Sequence, residues 1–136
     1  MKEAVLYQKK GERVQCLACA HKCLIAENRV GVCGTRKNVK GKLYSLVYGK
    51  AVAVHVDPIE KKPLYHFLPG TKAFSIGTIG CNFKCDFCQN WDISQATEII
   101  GETLPPKKII ELAIKNKCET IAYTYNEPAI FIEYVK

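Results

Sequence analysis

The apolar and polar positions of the chain change texture along its length. From Lys42 they form two short β-like runs, Leu43-Tyr44-Ser45-Leu46-Val47-Tyr48 and Ala51-Val52-Ala53-Val54-His55-Val56, separated by Gly49-Lys50. A two-residue gap containing glycine predicts a hairpin. Residues 57–70 then hold three prolines, which forbid a continuous helix or central strand and predict an ordered connector. Lys61, Lys62 and His66 ride on it, as contacts to a bound group or as surface residues. In Ala73-Phe74-Ser75-Ile76-Gly77-Thr78-Ile79 small residues alternate with larger ones, as in a strand with one tightly packed face.

A helix is predicted after Pro105-Pro106, with Ile110, Ala113, Ile114 and Cys118 as its apolar stripe. A second strand, Thr120-Ile121-Ala122-Tyr123-Thr124-Tyr125, ends at Asn126-Glu127-Pro128, where Pro128 suits the first turn of another helix with Phe131, Tyr134 and Val135 inward. Strand, helix, strand, helix implies parallel pairing with right-handed crossovers. In such folds chemistry sits at the C-terminal strand ends, which places the residues after Ile79 beside Asn126-Glu127.

Cysteine usage sharpens this picture. The eight cysteines divide into Cys16, Cys19, Cys23 and Cys33, then Cys81, Cys85 and Cys88, then Cys118 alone. The opening residues Met1 to Lys10 have no apolar leader core and no run approaches a membrane span, so a cytoplasmic chain without membrane partners is expected. In a reducing compartment the thiols point to metal or cluster binding rather than disulfides.

Three thiolates at the C-x3-C-x2-C spacing of Cys81, Cys85 and Cys88 suit one face of an iron–sulfur cube and leave one iron open. Cys16, Cys19, Cys23 and Cys33, with Gly31 and Gly34 for tight turns, suit a closed zinc site or a four-thiolate cluster, with free structural thiols as the remaining alternative. His21 stands among them as a substitute ligand or a neighbour. Cys118 falls on the helix stripe and reads as structural.

The net charge of +7 is uneven. Residues 1–50 carry eleven Lys or Arg against three acids, and residues 51–136 carry nine against ten. A basic, cysteine-rich first part raises an alternative, a zinc or metal-binding module contacting nucleic acid or an acidic protein. The strand context of Cys81 opposes it, and nucleic acid is disfavoured as a partner.

The cysteine loop, with Phe87 just before its last cysteine, resembles the signature of the radical SAM superfamily. In more detail the chain resembles the radical SAM enzymes of the AmmeMemoRadiSam system and the related pyruvate formate-lyase activating enzymes. The closer likeness rests on Cys16 to Cys33, on Asp57-Pro58-Ile59-Glu60-Lys61-Lys62-Pro63-Leu64-Tyr65-His66-Phe67, on Gly80-Cys81-Asn82-Phe83 and Cys88-Gln89-Asn90-Trp91, and on Tyr123-Thr124-Tyr125-Asn126-Glu127-Pro128.

The resemblance implies a 4Fe–4S cluster on Cys81, Cys85 and Cys88, S-adenosylmethionine (SAM) on the open iron, and reductive cleavage to a 5′-deoxyadenosyl radical that abstracts hydrogen from a substrate. It implies an electron donor such as flavodoxin or ferredoxin, and it leaves the substrate, protein or small molecule, unassigned, with a glycyl radical enzyme as one candidate. By the same likeness Phe87 packs near the adenine. Tyr125-Asn126-Glu127-Pro128 stands where a Gly-Gly-Glu-Pro-like turn receives the SAM ammonium, with Asn126 and Glu127 as acceptors; the alternative for both is helix capping.

The implied fold class is α/β: a Cys-rich metal or cluster-binding module over residues 1–41, a short β hairpin and Pro-rich connector over 42–72, and from 73–136 the first two βα units of a partial (β/α)6 TIM-like barrel. Six such units need roughly 180 residues at about 30 each. Ala73 to Lys136 is 64 residues, so the chain is expected to be an N-terminal portion of the pattern.

Overall fold

The computed structural model describes residues 1–136. Its first part is two small antiparallel sheets. Strand β1 (Lys2–Glu3) leads to β2 (Tyr7–Lys10) and β3 (Arg13–Cys16), and β4 (Leu24–Ile25) pairs with the far edge of β3. β5 (Arg36–Val39) and β6 (Lys42–Ser45) form a hairpin, and β1 adds to the other edge of β6. Lys40 and Gly41 make its turn, both at positive φ (51° and 75°), the backbone that a two-residue hairpin turn demands. Ala4, Val14, Cys16, Ile25 and Leu43 are the buried core between these sheets.

The expected hairpin between Leu43–Tyr48 and Ala51–Val56 does not form. β6 already has β1 on one edge and β5 on the other, so no free ladder remains for the second run. Instead the chain bends at Gly49 (φ 71°), and β7 (Lys50–Ala51) leaves for a different sheet. β8 (Ala53–Pro58) pairs antiparallel with β9 (Lys72–Gly77), from Ala53 opposite Gly77 to Pro58 opposite Lys72. The Pro-rich connector is therefore the long loop of a real hairpin, opening on a 3-10 turn at Ile59–Lys61.

Every residue of β9 from Ala73 to Gly77 is buried, so both of its faces are covered. Beyond it come the single helical turn α1 (Trp91–Ser94) and β10 (Glu102–Thr103), which pairs with β7. Next are α2 (Pro106–Lys115) and β11 (Thr120–Tyr123). β11 lies parallel to β9, Thr120 opposite Ala73 through Tyr123 opposite Ile76, with α2 as the crossover. The antiparallel neighbour β8 on the other edge of β9 was not foreseen.

The inward stripe of α2 is Ile109 and Ala113, while Ile110 and Ile114 are 53% and 71% exposed. Of the expected stripe, Ala113 and Cys118 face the core, while Ile109 takes the place given to Ile110 and Ile114. The doublets Ile109-Ile110 and Ala113-Ile114 offer two stripes with the same spacing, and the smaller Ala113 is the one taken into the core beside the sheet. Cys118 lies just past the helix, packed against that core as expected.

A 3-10 turn at Pro128–Phe131 runs into α3 (Ile132–Val135), burying Ile130, Phe131 and Tyr134. Its Glu133 joins the two halves of the chain. Arg36 of β5 donates to both Glu133 oxygens, at 2.7 and 2.9 Å, and to the Ile130 carbonyl at 3.1 Å. The Val5 amide also donates to Glu133, at 3.0 Å. Both charged side chains are only 2% exposed.

Candidate metal and cofactor site

The loop after β9 is entered through Gly80, whose φ is +85°. A Cβ there would stand 2.5 Å from the Cys33 carbonyl oxygen and would overlap the Thr35 side chain. Glycine is needed both for the left-handed backbone and for this approach to the first cysteine group. The Gly80 amide donates to the Ile93 carbonyl at 3.0 Å, so α1 folds back over the loop entrance.

Asn126 ties this entrance to the end of β11. Its Oδ1 accepts from the Thr78 amide at 3.2 Å, and its Nδ2 donates to the Gly80 carbonyl at 2.6 Å and to Thr78 Oγ1 at 3.0 Å. Buried and bonded through both ends of its amide, Asn126 holds the strand ends together. Glu127 caps the 3-10 turn by accepting from the Ala129 amide at 3.1 Å through Oε1. Glu127 also lines an open cleft of about 350 Å³ with His21, Asn82 and Phe83.

Cys81 is buried, Cys88 half-buried and Cys85 exposed. The Phe83 amide donates to Cys81 Sγ at 3.5 Å, and Cys88 Sγ lies 3.4 Å from Ser94 Oγ. The Cys88 amide donates to the Cys85 carbonyl at 3.2 Å, closing a turn between the last two thiols. Phe87 is 88% exposed and Trp91 68% exposed, so the loop presents its aromatics outward.

Cys16, Cys19, Cys23 and Cys33 line one small cavity together with His21, Arg36 and Asn82. Thr35 Oγ1 donates to Cys33 Sγ at 3.3 Å. Burial pushes the Cys16 thiol up, opposed by the Ala18 amide and by the charge of Arg36. His21 donates from Nε2 to the Asn82 carbonyl at 2.9 Å, which fastens the first cysteine group to the loop of the second. In neither group are three or more Cys, His, Asp or Glu side chains gathered closely enough to hold a metal ion as they stand.

The donors nonetheless suit thiolate-bound centres. Amide and hydroxyl hydrogen bonds reach Cys81, Cys88 and Cys33, and all eight cysteines are free.

Two features of the site had little sequence signal. Tyr125 adopts φ +71°, the conformation a glycine would take without strain, at the place where the resemblance expects a glycine turn. Its ring packs on Gly77, where a Cβ would lie 2.9 Å from Tyr125 Cδ2. Asn90 Nδ2 donates to the Tyr125 carbonyl at 3.0 Å, and Tyr125 donates to Asp57 Oδ2 at 3.2 Å. Burial, with the Asp57 charge, pushes the Tyr125 hydroxyl up to about 12.

Asp57 also takes Lys61 at 2.9 Å and Lys62 at 2.8 Å. Burial raises its pKa, but the hydrogen bonds from Lys62 and Lys61 outweigh that and hold the carboxyl well below the usual carboxylate range. The i, i+4 spacing of Asp57 and Lys61 was the available signal. These two lysines brace the connector through Asp57.

Residues 75–136 match the sequence profile of the Radical SAM superfamily, a stretch that contains the Cys81–Cys88 loop and Asn126-Glu127. The chain is 44% identical to the uncharacterized protein MJ0808 of Methanocaldococcus jannaschii over 99% of its own length and 41% of that protein. It is 33% identical to the uncharacterized protein MJ0674 of the same organism over 75% of its length and 27% of that protein. The chain thus spans less than half the length of these relatives. No solved structure matches it. No helix is long and apolar enough to cross a membrane.

Proposed function

We propose that the chain supplies the cluster-binding and SAM-binding start of a radical SAM enzyme, related to the AmmeMemoRadiSam and activating-enzyme groups. The observation that carries this is positional. Three cysteines at C-x3-C-x2-C spacing follow the C-terminal end of β9, inside the stretch matching the superfamily, and Asn126 fastens that loop to the end of the parallel strand β11. In this reading β9, α2, β11 and α3 are the first units of a partial (β/α)6 barrel whose further strands lie beyond these residues.

When bound, a 4Fe–4S cluster on Cys81, Cys85 and Cys88 together with SAM supplies a 5′-deoxyadenosyl radical for hydrogen abstraction. The residues of the chain do the binding and placement. Cys81, Cys85 and Cys88 would hold the cluster, with the sulfur charge of Cys81 and Cys88 stabilised by the Phe83 amide and the Ser94 hydroxyl. Glu127 caps through Oε1, and its carboxylate would accept from the SAM ammonium as a charge-assisted partner.

Asn126 acts as a positioning residue, because its side-chain oxygen already accepts from Thr78. The exposed ring of Phe87 is free to cover the adenine. The partners of this reading are a flavodoxin-like or ferredoxin-like electron donor and a hydrogen-donating substrate, for which a glycyl radical protein is the candidate.

Anaerobic iron–sulfide reconstitution of the chain and of Cys85→Ala tests the ligand set. One cluster's worth of iron and acid-labile sulfide should be present in the first and lost from the second. Equal incorporation in both contradicts the assignment.

A further inference from the structure

The backbone that ends β11 is strained at one residue. Tyr125 holds φ +71°, a left-handed conformation that a residue with a bulky side chain rarely adopts. Such a conformation persists only where its surroundings over-determine it, and here they do. The Thr124 amide donates to the Ile76 carbonyl at 2.9 Å and keeps the strand paired up to the turn. Beyond Tyr125, Asn126 is buried with its side-chain amide spent on Thr78 and Gly80. The Tyr125 ring lies against Gly77, where a Cβ would stand 2.9 Å from its Cδ2, and His55 meets it edge-on with ring centres 5.7 Å apart.

We infer that Tyr125 is a positioning residue: anchored through its hydroxyl on Asp57, it fixes the Asn126-Glu127 turn relative to the cysteine loop. Its carbonyl accepts from Asn90 Nδ2 at 3.0 Å, two residues past Cys88, and Glu127 stands two residues past Tyr125. The last thiol of the loop and the Glu127 carboxylate are thus referred to one residue. That carbonyl bond alone leaves the turn free to swivel. The hydroxyl removes the freedom by donating to Asp57 Oδ2 at 3.2 Å. Asp57 cannot turn away, since Lys61 and Lys62 hold its two oxygens at 2.9 and 2.8 Å and its side chain is 7% exposed. This deepens the radical SAM reading and rests on it only for what the turn receives. A molecule that bridges the cluster and Glu127 needs both ends at a set separation. A turn that wanders spends less time there, and the apparent affinity falls by the same fraction.

The fixing itself is tested without SAM, by amide hydrogen exchange of the chain read by mass spectrometry. The reporters are peptides holding the Thr78 amide, bonded to Asn126 Oδ1, and the Ala129 amide, bonded to Glu127 Oε1. The remote Leu46 amide, bonded to the Thr35 carbonyl, is the control. Tyr125→Phe keeps the ring on Gly77 and loses only the hydroxyl. It should speed exchange at Thr78 and Ala129 roughly tenfold relative to Leu46. Asp57→Asn should act in the same direction, and the double variant should be no faster than the faster single one, because both break the same contact. Equal acceleration at all three amides, no acceleration, or effects that add in the double variant would overturn the inference. If Asp57→Asn does not fold, Tyr125→Phe alone decides.

Calorimetric titration of the anaerobically reconstituted chain with SAM gives the second arm. Tyr125→Phe should keep its iron and acid-labile sulfide and bind SAM roughly tenfold more weakly than the unmutated chain. Unchanged SAM affinity in this variant would also overturn the inference. An unmutated chain that takes up a cluster and binds no SAM contradicts the radical SAM reading instead, and the exchange measurement still decides the positioning.

Discussion

Replacing Glu133 with Ala tests how the cysteine module is joined to the strand that carries the loop. The substitution removes two hydrogen bonds from Arg36, at 2.7 and 2.9 Å, and one from the Val5 amide at 3.0 Å. The guanidinium keeps only its bond to the Ile130 carbonyl and remains buried, its side chain 2% exposed before the change. Breaking a buried pair from one side costs about 3–5 kcal/mol, because an uncompensated charge is left behind. That is a large share of a folding free energy on the order of 5–15 kcal/mol.

Urea unfolding followed by circular dichroism reads the difference as a shift in midpoint at constant slope. The double variant Arg36→Met with Glu133→Leu should recover most of the loss, leaving about 1–3 kcal/mol for the orphaned Val5 amide. A cost below about 1 kcal/mol for Glu133→Ala would refute the reasoning, since it would mean the pair is not desolvated in solution.

The same pair sets an acid dependence. Burial raises the Glu133 pKa, but Arg36 outweighs it and the carboxyl lies below its ordinary value of 4.5. Its folded pKa is depressed, so its contribution is fully present above that value and is lost as pH falls through the lower, folded one. Glu133→Gln should flatten this limb of the stability profile.

Other outcomes follow from the loop. Gly80→Ala combines a left-handed φ, worth about 1–2 kcal/mol for a residue with a Cβ, with a clash at 2.5 Å on the Cys33 carbonyl that only backbone movement can relieve. A total loss of about 2–4 kcal/mol is expected by urea unfolding, with less iron taken up by the Cys81–Cys88 loop on reconstitution. Asn126→Ala leaves the Thr78 amide and the Gly80 carbonyl unpaired and should cost about 1–3 kcal/mol. If Asn126 positions the loop rather than touching SAM, iron content should fall in this variant while the affinity of the remaining holoprotein for SAM, by calorimetry, is unchanged.

The sequence made β9 and β11 legible because each is a bounded run of strand-forming residues ending at a turn signal, Gly80 and Asn126-Glu127-Pro128. The neighbourhood of those two turns followed from the parallel pairing. The hairpin at Gly49 failed because local pattern shows where a strand forms but not which edges are open, and β6 had none.

The α2 stripe failed at Ile110 and Ile114 and held at Ala113 and Cys118, because Ile109 and Ala113 have the same spacing as Ile110 and Ile114 and only the packed sheet separates them. Arg36 was invisible for a different reason. It sits in a polar, basic stretch, Thr35-Arg36-Lys37, and the carboxylate that buries it is 97 residues away.

The central claim is an iron site on Cys81, Cys85 and Cys88 with one position open to SAM. Its most direct measurement is the EPR spectrum of the anaerobically reconstituted, dithionite-reduced chain before and after adding SAM. The account predicts a 4Fe–4S signal whose shape shifts when SAM binds and which is absent from Cys85→Ala. A cluster signal that SAM leaves unchanged would contradict it.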